Sequence, residues 1–398
     1  MTAPTRIPGR RLLHSPGPTS IPDEVLDAMH RQPMDLADPR VSESITACED
    51  GLRWLCNAPA DAGVFMYAAN GHGAWEVAIE NLLPRGAKVL VPGTGHFSDG
   101  WAAQVEMLGR RAVRTPWREG LPIDPAAVEA VLRADTAREI IAVFMVHTDT
   151  ASSVTSEIDA MRRAIDAAAH PALFVVDAVA TLGALPIDLQ RQRIDVVVGA
   201  SQKGLMLPPG LGFVVVNAPA LEVSRRNDAP RAYWDWTRRI GGLPYQKFFG
   251  TVPMHLMFGL RASLGLLRQE GLENVYARHR QLAGAVQAAV EGWGEGGALG
   301  PYCRDAAARS VSVTAIAATP VGGFDPDALR TLARERFQVA VAGGLGPLAG
   351  KVFRIGHLGD LNAAMVLGAL GGVEAALVSL RVPHGPGLRR AVEFLARD

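Results

Sequence analysis

The sequence predicts an α/β protein, with a large domain built on a mostly parallel sheet and a smaller C-terminal α+β domain. In the first two thirds of the 398 residues, apolar runs of strand length alternate with segments whose apolar residues recur every three or four positions. Continuous apolar strands separated by helices are typical of a parallel sheet that is covered on both faces. From Val252 onward, this alternation gives way to long helical segments and a mixed pattern.

The elements of the large domain follow from these two periods. The predicted strands are Val64–Ala68, Lys88–Val91, Ile140–Val146, Leu173–Val176, Val196–Val198 and Phe213–Val216. The predicted helices between them are Ala74–Leu83, Ser98–Leu108, Pro125–Leu132 and Glu157–Ala168. Ligands of parallel sheets bind at the carboxyl ends of the strands, so we expect the functional site at that edge.

The C-terminal third begins with two helices, Pro253–Glu270 and Glu273–Gly292, which Gly271 separates. Six further segments of strand or helix length follow; they are Arg309–Ala315, Asp325–Phe337, Gln338–Ala342, Val352–His357, Leu361–Ser379 and Pro386–Ala396. We therefore expect an N-terminal arm over residues 1–20, a large domain over 21–270 and a small domain over 271–398.

Composition favours a protein that acts on small molecules. Lys and Arg together number 40, as do Asp and Glu, so no basic excess indicates a nucleic-acid or membrane partner. Cys48, Cys56 and Cys303 are too few and too scattered for a disulfide framework or a zinc cluster, and they fit a reducing, cytoplasmic setting. The segment Met1–Arg11 lacks the apolar core of a secretory signal, and prolines and glycines interrupt the longest uncharged stretch, so we expect a soluble protein.

A carboxylate and a lysine follow two of the predicted strands. Asp177 closes the apolar run that starts at Phe174, and Lys203 follows the run Asp195–Ala200. A pyridoxal phosphate site requires such a pair, because the amine forms the Schiff base and the carboxylate keeps the pyridine nitrogen protonated. Taken alone, such residues are more often a solvated lysine and a helix cap.

Other polar segments follow the strands at the same edge. Asn70-Gly71-His72-Gly73 opens a predicted helix, where backbone amides and the helix dipole favour a phosphate, although such a sequence is often only a turn. The hydroxyls and carboxylate of His147–Ser153 indicate either contacts with a cofactor phenolate and substrate or an N-cap for the next helix. Phe97 indicates either stacking on a pyridine ring or packing between helix and sheet.

Arg354 lies between apolar residues in a predicted strand of the small domain. A buried guanidinium is costly unless it is paired. A substrate carboxylate would be a bidentate partner, and a structural salt bridge is the alternative.

Several segments together resemble the class V pyridoxal phosphate-dependent aminotransferases, in particular the alanine–glyoxylate and serine–glyoxylate branch. The likeness runs in consistent order from about residue 12 to the C-terminus. The segments that carry it are Pro16–Thr19, Asp177-Ala178-Val179, Ser201–Gly212, Gly271–Val275, Ala277-Arg278-His279 and Phe353–Gly359.

The resemblance implies a role for each residue that matches the family pattern. Lys203 would be the Schiff-base lysine and proton shuttle, Asp177 the partner of the pyridine nitrogen, and Arg354 the clamp on the substrate α-carboxylate. The other matches are Phe97 in the ring-stacking position, Val179 beneath the ring, Thr150 near the phenolic oxygen, and Asn70, Gly71, His72 and Gln202 around the phosphate. Thr251 matches a phosphate contact made across a dimer interface, so the resemblance implies a homodimer with shared active sites.

The sequence also departs from the family pattern. Phe97 stands where Trp is common, Phe248 where a tyrosine hydroxyl commonly contacts the phosphate, and Asp149 where Glu is usual. Ala151 and Ser153 also differ from the usual motif. These changes leave the reacting groups in place and bear on the choice of amino donor.

The resemblance implies ping-pong transamination, with serine or alanine as favoured donor and glyoxylate or pyruvate as acceptor. Pyridoxamine–pyruvate aminotransferase shares the Arg-Ile-Gly-His segment but needs no phosphate cup, which Gly71-His72-Gly73 retains. A cysteine desulfurase-like lyase would use Cys303, but it usually has His where Gln202 precedes the lysine. A non-catalytic protein is the remaining alternative, either nucleotide-binding through Gly344–Gly350 or an inactive pyridoxal phosphate fold.

Overall fold

The computed structural model describes residues 9–319 and 323–397, so the start of the predicted N-terminal arm lies outside the described residues. The elements of the first part are β1 (Leu12–His14), α1 (Asp23–Met29), α2 (Pro39–Leu55), β2 (Gly63–Ala69), α3 (Gly71–Leu82), β3 (Lys88–Val91), α4 (His96–Met107), β4 (Arg111–Arg114), α5 (Pro125–Ala134), β5 (Ile140–Val146), β6 (Thr148–Asp149), β7 (Val154–Thr155), α6 (Ile158–Ala167), β8 (Leu173–Asp177), β9 (Val196–Ala200), β10 (Gly210–Val216) and α7 (Ala218–Arg226). The elements that follow are α8 (Met254–Glu270), α9 (Leu272–Gly294), β11 (Leu299–Pro301), β12 (Val313–Ala318), α10 (Pro326–Arg336), β13 (Val339–Gly343), β14 (Val352–Gly356), α11 (Ala363–Ser379) and α12 (Gly387–Leu395).

The large sheet has seven strands in the order β2-β10-β9-β8-β5-β3-β4. Strands β4, β3, β5, β8 and β9 run parallel to one another, while β10 runs antiparallel to both β9 and β2. The prediction of a mostly parallel sheet is confirmed. The register pairs Asp177 at the end of β8 with Val146 of β5 and Val198 of β9, so the strand ends meet at one edge.

Two apolar cores cover the two faces of this sheet. Along β5, Val143 and Met145 point into one core, whereas Phe144 and Val146 point into the other. This alternation is the two-residue period of a strand that is buried on both sides. The continuous apolar runs in the sequence therefore reflect double burial.

The second sheet has five strands in the order β1-β13-β14-β12-β11. Strand β1 comes from the predicted N-terminal arm and pairs in parallel with β13, through Leu12 and Val339, while the other pairs are antiparallel. Helix α9 contributes Val275 to a core of the large sheet and Leu282 to the core beneath the second sheet. The domain boundary near residue 270 remains a proposal, and β1 would then cross it.

Some elements differ from the sequence prediction. Strand β12 begins at Val313 rather than Arg309, because the Ser310 hydroxyl accepts a hydrogen bond from the Ser312 amide at 3.0 Å in a turn. The glycine-rich stretch Gly344–Gly350 joins two antiparallel strands, β13 and β14, so it lacks the strand–helix setting of a dinucleotide loop. Within residues 9–319 and 323–397, no helix is long and apolar enough to cross a membrane.

Candidate active site

A cavity of about 280 Å³ opens at the carboxyl edge of the large sheet, as expected for a parallel α/β fold. Its lining includes nine of the predicted site residues: Asn70, Gly71, His72, Phe97, Thr150, Asp177, Val179, Gln202 and Lys203. The other lining residues are Gly17, Pro18, Trp75, Val146, Thr148, Ala180 and Pro209. The fold thus brings together residues that lie up to 192 positions apart in the chain.

Asp177 ends β8 with its carboxylate buried and held by two donors. The Val179 amide donates to Oδ1 at 2.7 Å, and the Trp75 indole Nε1 donates to Oδ2 at 2.8 Å. Burial raises the pKa of Asp177 to about 6, while these two hydrogen bonds and the nearby Lys203 charge oppose the rise. The carboxylate is therefore mostly ionised near neutral pH, and the loss of a nearby donor or charge would change its ionisation.

Lys203 follows β9 and lies beneath the N-terminal segment. Its amine donates to the Pro16 carbonyl, and its own carbonyl accepts from the Thr19 hydroxyl at 3.1 Å. Gly17 has φ +118°, and a Cβ there would lie 2.5 Å from Lys203 Cδ, so only glycine fits. Burial and the nearby Arg354 charge lower the pKa of Lys203 to about 8, and the Asp177 carboxylate opposes the fall.

The turn between β2 and α3 places a helix N-terminus at the cavity. Asn70 is the N-cap of α3, and its Oδ1 accepts from the Gly73 amide at 3.2 Å. Gly212 of β10 passes so close that a Cβ there would lie 2.5 Å from the Asn70 carbonyl oxygen. Gly71 and His72 also line the cavity, so the first turn of a buried helix faces it.

The segment after β5 forms a hairpin of β6 and β7 rather than an N-cap for α6. The N-cap of α6 is Glu157, whose side chain makes no capping bond. Asp149 is fully buried and accepts from the backbone amides of Phe97 at 2.8 Å and Ala151 at 2.9 Å. This carboxylate holds the turn that carries Phe97, whose side chain lines the cavity.

Arg354 lies on β14 and reaches the hairpin from the second sheet. Its Nε donates to the Gly343 carbonyl at 2.7 Å and its Nη1 donates to the Thr150 carbonyl at 2.8 Å. Among the described residues its partners are these carbonyl oxygens rather than a carboxylate, so the structural salt-bridge alternative is wrong. Burial lowers the pKa of Arg354 to about 10, which still leaves the guanidinium charged at neutral pH.

Comparison with known proteins agrees with this geometry. The family model for aminotransferase class V matches residues 11–347. The chain is 41% identical to a serine–glyoxylate aminotransferase of Methylorubrum extorquens, over 100% of this chain and 98% of that one.

The chain belongs to the class V aminotransferases.

Two further proteins, one compared by sequence and one by structure, also match the chain over most of its length. The aminotransferase is 38% identical to an L-aspartate–glyoxylate aminotransferase of Paracoccus denitrificans, over 95% of this chain and 94% of that one. Among solved structures, a pyridoxamine–pyruvate aminotransferase of Mesorhizobium loti superposes with a TM-score of 0.87 at 26% identity, over 98% of this chain and 99% of that one.

The residues of the aminotransferase fit pyridoxal phosphate, the cofactor of this enzyme family. Asp177 suits the ring nitrogen, Lys203 suits the aldehyde, and the start of α3 suits the phosphate. The buried Oε1 of Gln202 has no hydrogen-bond partner within the described chain, and turning the amide would present its NH₂ to a phosphate oxygen. Each polar part of the cofactor thus has a candidate partner.

Two residues named from the sequence lie away from the cavity of this aminotransferase. Thr251 is exposed and is not part of the lining. Phe248 is buried in a core of the large sheet. A phenylalanine suits this apolar position, where its ring packs in the core.

Trp75 is a site residue that the sequence did not reveal. It lies in the first turns of α3 and reaches Asp177, 102 positions away. Pro18 and Pro209 also line the cavity, and they were recognised only as parts of family motifs. A tryptophan within an amphipathic helix predicts packing, so no sequence pattern could have indicated its hydrogen bond.

Proposed function

We propose that this aminotransferase transfers the amino group of serine or alanine to glyoxylate or pyruvate, with pyridoxal phosphate bound in the cavity. The observation that carries the proposal is the meeting of Lys203 and Asp177 at one cavity that a helix N-terminus also faces. The serine–glyoxylate relative at 41% identity supports the choice of substrates.

The main parts of the proposed chemistry each have a residue in the cavity. Bound pyridoxal phosphate supplies an aldehyde for amines and a protonated ring that withdraws electrons from the substrate Cα. Lys203, with a pKa of about 8, is partly unprotonated near neutral pH, so its amine can attack a carbonyl carbon and carry the Cα proton. Asp177 would keep a proton on the ring nitrogen, and the backbone donors at the start of α3 would hold the phosphate.

Arg354 orients the amino acid in this proposal. Two backbone carbonyls fix its Nε and Nη1, and its Nη2 donates to none of the residues that the structure describes. A substrate carboxylate can therefore bind the remaining N–H groups without displacing a protein carboxylate. Because the guanidinium is already held in place, less entropy is lost when the substrate is oriented.

The lining of the cavity supports a small, uncharged donor side chain. Among the described residues the lining contains no arginine, and Arg354 lies beside it. A donor with a second carboxylate needs a second cation, and the lysine of this lining, Lys203, is used by the reaction itself. The L-aspartate–glyoxylate relative makes aspartate the donor to test against serine and alanine.

The donor preference is tested by kcat/KM for serine, alanine and aspartate with glyoxylate and with pyruvate. We expect serine or alanine to exceed aspartate at least tenfold, because a buried unpaired carboxylate costs more than about 1.4 kcal/mol. A preference for aspartate would contradict the proposed donor class.

We propose that the active enzyme is a homodimer in which Thr251 contacts the phosphate bound by the partner subunit. The exposed position of Thr251 supports this, since it leaves the hydroxyl available to another chain. The nearby apolar side chains of Ile240, Leu243 and Phe249 are also exposed and offer a surface for association.

The free, buried cysteines support a reducing, cytoplasmic setting.

A pyridoxamine–pyruvate activity is the second candidate, favoured by the Mesorhizobium loti structure. That activity would take free pyridoxamine as substrate. The retained helix N-terminus at Asn70 and Gly71 supports the phosphorylated cofactor instead. Activity of the cofactor-free protein that returns with pyridoxal phosphate and not with pyridoxal supports our proposal, and the reverse result supports the alternative.

The first test of the proposal is the visible spectrum of the purified protein, before and after borohydride, beside a Lys203→Ala variant. We expect a yellow protein whose chromophore borohydride fixes to the chain, and a variant that lacks this covalent fixation. A wild-type protein that stays colourless with added pyridoxal phosphate would overturn the proposal.

A further inference from the structure

The indole of Trp75 makes a direct hydrogen bond to Asp177, and packing alone does not account for it. Nε1 donates to Oδ2 at 2.8 Å, within the range of a good N–H···O bond. Trp75 is 3% exposed and its ring stacks on Trp101, with centroids 5.4 Å apart and planes 12° from parallel. The indole is therefore held rigidly against the carboxylate.

Trp101 provides an internal comparison. It is fully buried in the same aromatic stack and also packs on Phe144, with centroids 4.5 Å apart. Its Nε1, however, has no hydrogen-bond partner within residues 9–319 and 323–397. The stack thus tolerates an indole whose N–H is unpaired, so the bond from Trp75 to Asp177 is a separate feature.

We propose that Trp75 is a positioning residue that keeps Asp177 ionised and orients its carboxylate for the ring nitrogen of the cofactor. This inference rests on the proposed function, because it requires pyridoxal phosphate in the cavity. Trp75 acts through Asp177, and it complements the Val179 amide on the other carboxylate oxygen.

The physical basis is the competition for one proton. A donor to a carboxylate stabilises its charged form, so removing the indole N–H makes Asp177 more basic. A more basic Asp177 draws the shared proton from the ring nitrogen, and a neutral ring withdraws fewer electrons from the substrate Cα. Val179 still donates to Oδ1, so the carboxylate would remain in place while its basicity changes.

The matched variants are Trp75→Phe and Trp101→Phe. Each keeps an aromatic ring in the stack and removes one indole N–H, but only the first removes a bond to Asp177. The readout is the chemical shift of ¹⁵N in the ring of labelled pyridoxal phosphate bound to each protein, recorded across pH 6–9. We expect the ring nitrogen to carry less of the shared proton in Trp75→Phe than in wild type at each pH, and to carry the wild-type share in Trp101→Phe.

Kinetics provide a second readout of the same variants. A hydrogen bond to a charged group contributes about 1.5–3 kcal/mol, so we expect kcat of Trp75→Phe to fall roughly tenfold to a hundredfold with little change in KM. Trp101→Phe should stay within about twofold. A Trp75→Phe protein with the wild-type ring-nitrogen titration and kcat would overturn the inference.

A measurement on the unaltered sequence keeps the inference testable if Trp75→Phe does not fold. The cofactor-free protein, labelled with ¹⁵N at its seven indole nitrogens, is titrated from pH 5 to 8 beside Asp177→Asn. We expect one indole signal to shift with the ionisation of Asp177 and to lose that shift in the variant. If no signal behaves in this way, Trp75 does not sense Asp177 and the inference is wrong.

Failure of the inference and failure of the proposed function give different results. If wild-type protein binds no pyridoxal phosphate, the function fails whatever the indole signals do. If wild-type protein binds the cofactor and transaminates while both tryptophan variants match it, only the role of Trp75 fails.

Discussion

The two sheets place charged groups in or beside the cavity in opposite ways. The large sheet buries Asp177 and Lys203, and burial moves the pKa of each towards neutrality. The second sheet presents Arg354, which two backbone carbonyls hold while it remains charged. Groups that exchange protons need a pKa near the working pH, whereas a group that binds a carboxylate needs a fixed charge.

The difference also concerns stability. Burying an ionised carboxylate or ammonium destabilises a fold. The burial of Asp177 and Lys203 therefore lowers the stability of the fold, while it gives both groups pKa values suited to proton transfer. The guanidinium on β14 has lost much water contact, but it gains two hydrogen bonds to carbonyl oxygens. Substitutions at the two locations should therefore have different signatures.

The largest effect is expected for Asp177→Asn. The variant cannot hold the ring proton by charge, so we expect kcat to fall by about 10³-fold.

The raised pKa of Asp177 means that the wild-type fold loses stability as pH rises from 3.8 through about 6, because the folded state holds the proton more tightly.

Urea unfolding of cofactor-free wild type and Asp177→Asn at several pH values tests this loss of stability. At about 1.4 kcal/mol per pKa unit, the stability of Asp177→Asn relative to wild type should rise by on the order of 3 kcal/mol between pH 4 and 7. Parallel pH profiles for the two proteins would show that Asp177 ionises in the fold as freely as in the unfolded chain.

Arg354→Lys should have the next largest effect and should affect binding. Lysine cannot bond Gly343, Thr150 and a substrate carboxylate at once, so we expect kcat/KM to fall by about 100-fold, mainly through KM.

Arg330→Lys is the control for Arg354→Lys. Arg330 lies on α10 and contacts Asp327 and the Val341 carbonyl rather than the cavity lining. Its replacement should change kcat/KM by less than threefold. Equal losses for the two variants would indicate a general disturbance of the second sheet instead of a specific carboxylate clamp.

Acid should weaken the fold through two buried histidines near the end of β14. His357 bonds the Thr314 hydroxyl and the Val311 carbonyl, and His279 bonds the Val275 carbonyl and accepts from the Gly359 amide. Burial lowers the pKa of His357 to about 3 and that of His279 to about 4. Both should therefore stay neutral in the fold at pH 5.

The unfolded chain binds protons at these histidines below pH 6.5, so stability is full above that pH and falls as pH decreases. Each should cost about 2 kcal/mol between pH 6.5 and 5. Denaturant unfolding of wild type and His357→Gln at several pH values measures this, with a shallower acid slope expected for the variant. An unchanged slope would mean that His357 is protonated in the fold.

The smallest effect is expected for Cys303→Ala. The thiol is 1% exposed, donates to the Asp305 carbonyl at 3.3 Å and has its pKa raised by burial to about 11, so little thiolate exists at neutral pH. Transaminase kcat should stay within about twofold of wild type. Loss of activity in a folded variant would instead favour a desulfurase-like use of this cysteine.

The sequence was most informative where one residue type serves one physical requirement. The apolar runs predicted the large-sheet strands because both faces of each strand are buried. Asp177 and Lys203 were predicted because a carboxylate and an amine after neighbouring strands suit pyridine chemistry. Helix α2 and strand β4 were missed, because α2 has many polar residues and β4 is a short strand with an arginine at each end.

The predictions were weakest where one residue could serve several purposes. The segment His147–Ser153 was compatible with a helix cap, yet it forms a hairpin in which Asp149 holds the turn of Phe97. Arg354 was compatible with a salt bridge, yet it bonds two carbonyls. The choice depends on which groups are nearby in space, and local sequence does not contain that information.

By itself, then, the sequence determined the fold class and the family and predicted the reacting residues, because periodicity and residue chemistry are local properties. Only the tertiary structure decided that the Trp75 indole reaches Asp177 and that the N-terminal segment covers Lys203. These contacts join residues 102 and 187 positions apart. They exist because the close packing of α3 and of residues 15–19 against one sheet edge brings those atoms together.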